Sequence, residues 1–211
     1  MLDTIFTAII ASLLTFSRVF LTILVAVIAG LILSCIVIRS RVLETIFLTC
    51  VSIFESIPVI TFFPVILIIF ISSLPGGLGV EIAALFLIFT AVTWNIWIAQ
   101  YESLKSLPKS FEELSKMLNL SFFQKFVKIY VPATIPRTVS NVMISFAVGL
   151  FYITVSEAVT ISTTTYSVFG IGSYIYSLVI AGKYMESILS MAVLLTLVLL
   201  LSLEGKFIHT Y

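Results

Sequence analysis

Long apolar stretches separated by short polar breaks dominate this chain. Val19 to Ile38 is a run of twenty residues without a charge, closed by Arg39 and Arg41. As a helix it would rise about 30 Å, the thickness of a bilayer's hydrocarbon core. Leu43 to Ser73 is a longer apolar run interrupted by Glu55, Pro58 and Pro64. It must tilt, kink or partly unwind to remain in a membrane. Pro75-Gly76-Gly77-Leu78-Gly79 reads as a turn. Further spans are predicted over residues 81–100, 138–158 and 188–203, giving five with 19–38 and 43–73. Residues 101–137 are the one long polar stretch.

Two segments are ambiguous. In residues 2–16, Ile5, Phe6, Ile9, Ile10, Leu13 and Leu14 share one helical side, and Thr7, Ala8, Ala11, Ser12 and Thr15 the other. With Arg18 following, residues 1–18 read as an interfacial elbow helix lying along the bilayer; the competing reading is an outward extension of the first span. Residues 159–185 are apolar enough for a sixth span, but Gly170, Gly172 and Gly182 divide them and Thr160 to Thr165 is rich in hydroxyls. They are expected to form a loop and a short helix dipping between the spans, which is tolerated where protein or a cavity covers the backbone.

Composition reinforces the membrane reading. Hydrophobic residues make up 61% of the 211, charged residues 10%, and the mean hydropathy is +1.25. A soluble domain carries about a quarter charged residues. The formal charge of +1 offers no polyanion-binding signal, so no nucleic-acid partner is expected. Long unbroken runs argue for helices and against a β-barrel. With five spans, Arg39, Arg41, Lys105, Lys109, Lys116, Lys125, Lys128, Arg137 and Lys206 fall on one side, and Arg18 and Lys183 on the other. That asymmetry places the polar loop and the tail, residues 205–211, in the cytoplasm and the N-terminus outside, in a multi-pass plasma-membrane protein. Asp3 stands where a secretory signal would carry a basic residue, so no cleaved signal is expected.

The reactive inventory is small. Cys35 and Cys50 lie in separate apolar runs, His209 is the single histidine, and no metal-ligand spacing or phosphate-binding loop occurs. No catalytic residue, metal site or bound cofactor is therefore expected on this chain.

The polar loop carries more information. Residues 108–136 read PKSFEELSKMLNLSFFQKFVKIYVPATIP. Ser110 with Glu113, and Ser121 with Gln124, have capping-box spacing, and Asn119 sits where a helix could end in a left-handed turn. Two short helices follow, closed by Pro132 and Pro136. Leu114, Met117 and Leu118 share a face of the first; Phe122, Phe126, Ile129 and Tyr130 share a face of the second. Glu112 and Lys116 are spaced for an i, i+4 ion pair. A hairpin with an apolar face needs a partner surface.

Here the sequence resembles the permease subunits of ATP-binding-cassette (ABC) importers. Their cytoplasmic loop has the form E-A-A-x3-G-x9-I-x-L-P. Laid on Glu113, the spacing matches throughout; identities agree at Glu113, Ile129 and Pro132 and depart at Leu114, Ser115, Asn119 and Val131. The stretch Glu55-Ser-Ile-Pro58 through Pro64, and Gly170-Ile-Gly172-Ser-Tyr, are similar to segments of nitrate/sulfonate/taurine-type permeases. The resemblance implies an all-α, five-span type I importer permease core over residues 19–204, with a coupling-helix hairpin that docks on a separate ATPase subunit. It assigns Glu112, Glu113, Leu114, Met117, Leu118, Asn119, Ile129 and Pro132 to that contact. It also implies a second permease copy or homologue, an extracytoplasmic solute-binding protein, and ATP with Mg on the partner ATPase.

Within the membrane, a carboxylate costs about 2.5–3.5 kcal/mol at the bilayer centre, so Glu55 and Glu157 must face protein or water. Both are candidates for the translocation path or its gate, with Pro58 and Pro64 beside the first and Asn95 late in the third span. For Glu157 a structural cap is the equal alternative. Trp94 and Trp97 read as an interfacial belt. A rival function uses the same glutamates as proton carriers in a secondary transporter or channel with no ATPase.

Overall fold

A computed structural model describes residues 2–75, 77–161 and 164–209. Met1, Gly76, Ser162, Thr163 and the last two residues lie outside the described residues, and with them part of the expected elbow segment, turn, hydroxyl stretch and tail. The elements are α1 (Leu2–Val37), α2 (Arg41–Glu55), α3 (Val59–Ser73), α4 (Leu78–Lys105), α5 (Lys109–Met117), α6 (Phe122–Lys125), a π-helical turn (Phe126–Tyr130), α7 (Val131–Ser156), β1 (Ala158–Ile161), β2 (Thr164–Ser167), α8 (Ile171–Ile180) and α9 (Tyr184–His209). Among the described residues four helical stretches are long and apolar enough to cross a membrane, and five if α2 and α3 count as one broken span. The all-α, five-span expectation holds, with one addition: β1 and β2 pair antiparallel, Ala158 opposite Ser167 and Ile161 opposite Thr164. This hairpin occupies the hydroxyl-rich stretch expected as loop.

Three expectations need restating. The elbow helix and first span are one unbroken helix, because no glycine, proline or turn sequence interrupts residues 2–29. The 43–73 run is two fifteen-residue helices broken at Ser56-Ile57-Pro58, where Pro58 disfavours a helical conformation at Ile57. Each half would rise about 22 Å, short of the hydrocarbon thickness. Pro132 and Pro136 do not end a helix: both lie within α7, which continues directly from the π turn. Pro132 has no N–H to give the preceding turn, and the π turn before it widens the backbone, with the Val131 N–H bonding the Phe126 carbonyl.

The chain divides into two compact units. The first comprises residues 1–21, 59–88 and 149–211. Its interior holds Phe63, Leu67, Val80, Ala83 and Leu87, with a second cluster of Ala8, Ala11 and Ile171 backed by Val193 and Leu194. Here the side of α1 that packs inward is the small and hydroxyl-bearing one. Ala8, Ala11, Ser12 and Thr15 are fully buried, while Phe6, Leu13 and Leu14 are exposed. Lipid is as apolar as leucine, so helix contacts in a membrane select small residues that permit close approach. At Gly79 a Cβ would strike the backbone of Phe70 and Ile71, so the turn after α3 requires glycine.

The second unit comprises residues 22–58 and 89–148. Val37, Phe47, Val51 and Tyr101 form its core, with Trp94 and Trp97 packed on it. These tryptophans join helices. The Trp97 Nε1–H donates to the Ala26 carbonyl at 2.9 Å, and Trp94 stacks on Phe54 with centroids 5.6 Å apart. Gly30 admits the Trp97 ring; a Cβ there would overlap it and the Gln100 amide. Gly30→Val is therefore expected to cost about 1–3 kcal/mol through overpacking. Thermal unfolding in detergent checks this, and an unchanged midpoint would show that α1 and α4 are not closely packed there.

Candidate functional site

Glu157 directly follows α7, its N–H bonded to the Ile153 carbonyl at 2.9 Å. Its side chain is completely buried. One carboxylate oxygen accepts from Thr15 Oγ1 at 2.5 Å and from Arg18 Nη1 at 3.3 Å; the other accepts from the Gly172 N–H at 2.7 Å. Arg18 also donates Nε and Nη2 to Glu81 at 2.5 and 3.1 Å, and Nη1 to the Phe169 carbonyl at 2.9 Å. Thr15 Oγ1 accepts from the Ile171 N–H at 3.0 Å. One carboxylate thus caps the first turn of α8, where backbone N–H groups and the helix dipole favour negative charge. Gly170 and Gly172 let the chain reach it: a Cβ at either would collide with the Glu157 carboxylate or the Thr154 carbonyl.

Of the two readings offered for Glu157, this geometry matches the structural cap. Sequence reasoning missed Thr15, Arg18 and Glu81 as its network. The available signal was the pair of lone opposite charges, Arg18 and Glu81, each beside an uncharged apolar run on the same predicted side of the membrane. The β hairpin closes over this point, with the Val168 N–H bonded to the Glu157 carbonyl at 2.9 Å. Its exposed face presents hydroxyls: Thr160 Oγ1 lies 3.1 Å from both Thr165 Oγ1 and the Tyr176 hydroxyl.

The other path candidates lie elsewhere. Glu55 is exposed as the last residue of α2, Pro58 is exposed at the start of α3, and Pro64 is exposed within it. Asn95 is exposed on α4, and its side chain makes no hydrogen bond among the described residues.

The hairpin of the polar loop forms from local signals. α5 ends in a Schellman motif: Asn119 has φ 48°, the Leu120 N–H bonds the Ser115 carbonyl at 3.0 Å, and the Asn119 N–H bonds the Lys116 carbonyl at 3.1 Å. Asparagine accepts this left-handed conformation where the family pattern has glycine. Ser121 and Gln124 form the expected capping box at 2.9 and 3.3 Å. The box at Ser110 and Glu113 does not form; Pro108 occupies the N-cap, so Ser110 falls inside the helix. Glu112 and Lys116 pair at 3.1 Å, and the Lys116 ammonium holds the Glu112 carboxyl below its ordinary range. Arg39 lies over the Phe122 ring at 4.6 Å, tying the hairpin to the end of α1.

The hairpin brings Glu112, Glu113, Leu114, Met117, Leu118 and Asn119 together on exposed backbone. Met117 is 81% exposed and Leu118 61%. Ile129 is half-buried in the π turn and Pro132 exposed at the start of α7. Ser115 is buried, its Oγ bonded to the Glu112 carbonyl at 2.7 Å.

A helical protein with several apolar helices of membrane-spanning length and a hairpin with exposed apolar side chains is thereby defined. The family model for binding-protein-dependent transport system inner membrane components matches residues 22–211, and the chain belongs to that family. It is 28% identical over 177 residues to the nitrate import permease protein NrtB of Leptolyngbya laminosa, covering 82% of this chain and 57% of the relative. It is 31% identical over 94 residues to the bicarbonate transport system permease protein CmpB of Synechocystis sp., covering 44% and 32%. The matched parts are thus just under three fifths and just under a third of those relatives' lengths. The fold matches the methionine ABC transporter MetNI, solved in inward-facing conformations, with a TM-score of 0.74 at 19% identity over 96% of this chain and 94% of the other.

Proposed function

We propose that this chain is the permease subunit of an ATP-driven importer of a small planar oxyanion. Two such subunits, identical or paired with a homologue, enclose the path, and an external binding protein delivers the solute. The observation that carries the reading is the bare apolar hairpin at family spacing, with Met117 and Leu118 exposed in a chain that matches the family over residues 22–211. An ATPase subunit grips this hairpin, binds ATP with Mg, and drives the spans between inward- and outward-facing states. This chain supplies the path and the lever and performs no chemistry. The substrate class rests on the relatives named for nitrate and bicarbonate, both flat, monovalent oxyanions. Neutral hydroxyls such as Thr160, Thr165 and Tyr176 suit such a solute, since a donor without charge holds an anion weakly enough to release it. The excess of lysine and arginine in the polar loop and tail supports a cytoplasmic hairpin and an N-terminus on the other side.

The test is reconstitution of the permease with its ATPase and binding protein in sealed vesicles. Uptake of labelled nitrate or bicarbonate that requires ATP and both partners is expected. Uptake by this chain alone, driven by an imposed proton gradient, would establish the secondary-transporter alternative, in which Glu55 and Glu157 carry protons.

A further inference from the structure

The second unit contains a cavity of about 190 Å³ at the base of the hairpin, sharing Glu112 and Ile129 with the docking residues. It lies where the ends of α1 and α4 meet α5 and the π turn. Its lining is of two kinds. Ile38, Leu104, Phe111 and Ile129 supply an apolar wall; Lys105, Lys109, Lys125 and Tyr130 supply polar groups, with Glu112 the one carboxylate.

The charges there do not cancel. Lys105 is held by Glu44 at 2.6 Å, and Glu112 by Lys116 at 3.1 Å. Among the described residues no carboxylate lies within ion-pair distance of Lys109 or Lys125. The Lys125 ammonium instead rests 5.3 Å from the centre of the Tyr130 ring. Two lysines without a close ion-pair partner among the described residues, which share the longer-range field of Glu112, and a phenol therefore line a recess walled by aliphatic and aromatic carbon. A soluble anion would use the cations and waste the wall; an apolar molecule would leave the cations unmatched. The lining suits a molecule with an anionic head and an apolar chain, positioned where spans leave the hydrocarbon.

We propose that this cavity binds the headgroup of an anionic phospholipid, with its phosphate on Lys109 and Lys125. The bound lipid joins α5 to the ends of α1 and α4 and so stiffens the base of the hairpin. Basic pockets at span ends are matched to such headgroups, and each lysine near an anionic surface contributes about fivefold in affinity. The assignment of the hairpin to ATPase docking rests on the function proposed above; the lipid site does not.

The test uses the full chain in nanodiscs of phosphatidylcholine containing graded phosphatidylglycerol. Retained lipid is counted by native mass spectrometry after detergent exchange. Lys109→Gln with Lys125→Gln is expected to weaken retention about thirty-fold. Lys128→Gln, the same charge change on the exposed side of the π turn, is expected to leave it within about twofold. Equal losses in the two variants would overturn the site, as would equal retention of phosphatidylcholine and phosphatidylglycerol by the parent. Inorganic phosphate that displaces the lipid completely would show a free-anion site and overturn the lipid assignment. Should the double variant not fold, crosslinking of the parent by a diazirine phosphatidylglycerol decides: label within residues 104–130 supports the site, and label absent there refutes it. None of these readouts uses ATP or transport, so their failure leaves the importer reading untouched.

Discussion

Glu157→Ala is expected to destabilise the protein by about 3–5 kcal/mol, because it removes a buried acceptor shared by two donors and one of the two carboxylates that Arg18 holds. Arg18 would keep Glu81 at 2.5 Å, but the Thr15 hydroxyl and the Gly172 N–H would lose their acceptor in the interior. For a chain of this length the loss corresponds to a fall in the unfolding midpoint of roughly 6–20 °C. Glu157→Gln keeps an acceptor oxygen but gives up the charge, and should fall between Ala and the parent. Glu55→Gln, at an exposed helix end, should change the midpoint by no more than about 0.5 kcal/mol equivalent. Melting curves in detergent read all three. A midpoint for Glu157→Ala within about 2 °C of the parent would mean that the network does not hold α8 to α1. In that case the carboxylate would be free to serve the path.

Met117→Asp combined with Leu118→Asp is expected to abolish copurification with the ATPase while the permease itself folds normally. Both side chains project from the hairpin, at 81% and 61% exposure, so the fold should tolerate the change within about 0.5 kcal/mol each. The few desolvated contacts that dominate an interface contribute about 2 kcal/mol or more each, and the hairpin tip is the candidate for them. Introducing two carboxylates there should weaken docking by at least about thirty-fold. Binding of the purified ATPase to nanodisc-held permease measures this directly. Undiminished binding would place the ATPase contact on another surface and remove the principal support for the lever role.

What was legible in the sequence was mostly local. The left-handed Asn119, the Ser121–Gln124 box and the Glu112–Lys116 pair are each decided within four residues, so spacing alone exposes them. The spans were legible because backbone polar groups must be satisfied inside lipid, which forces long apolar helices. The two prolines after the π turn misled because a local helix-stopping rule ignores a widened turn that absorbs the missing donor.

By itself, then, the sequence determined that this is a helical membrane protein with five apolar runs, one basic hairpin and the spacing of an importer permease. Only the tertiary structure decided which groups meet inside it. Arg18 finds Glu81 across 63 residues and Glu157 across 139, and no periodicity encodes such a meeting. Only the structure, too, revealed that α1 turns its small and hydroxyl-bearing side inward. In water the apolar stripe of a helix marks its buried face. In lipid that stripe loses its direction, and close packing and buried polar partners settle which side faces the protein.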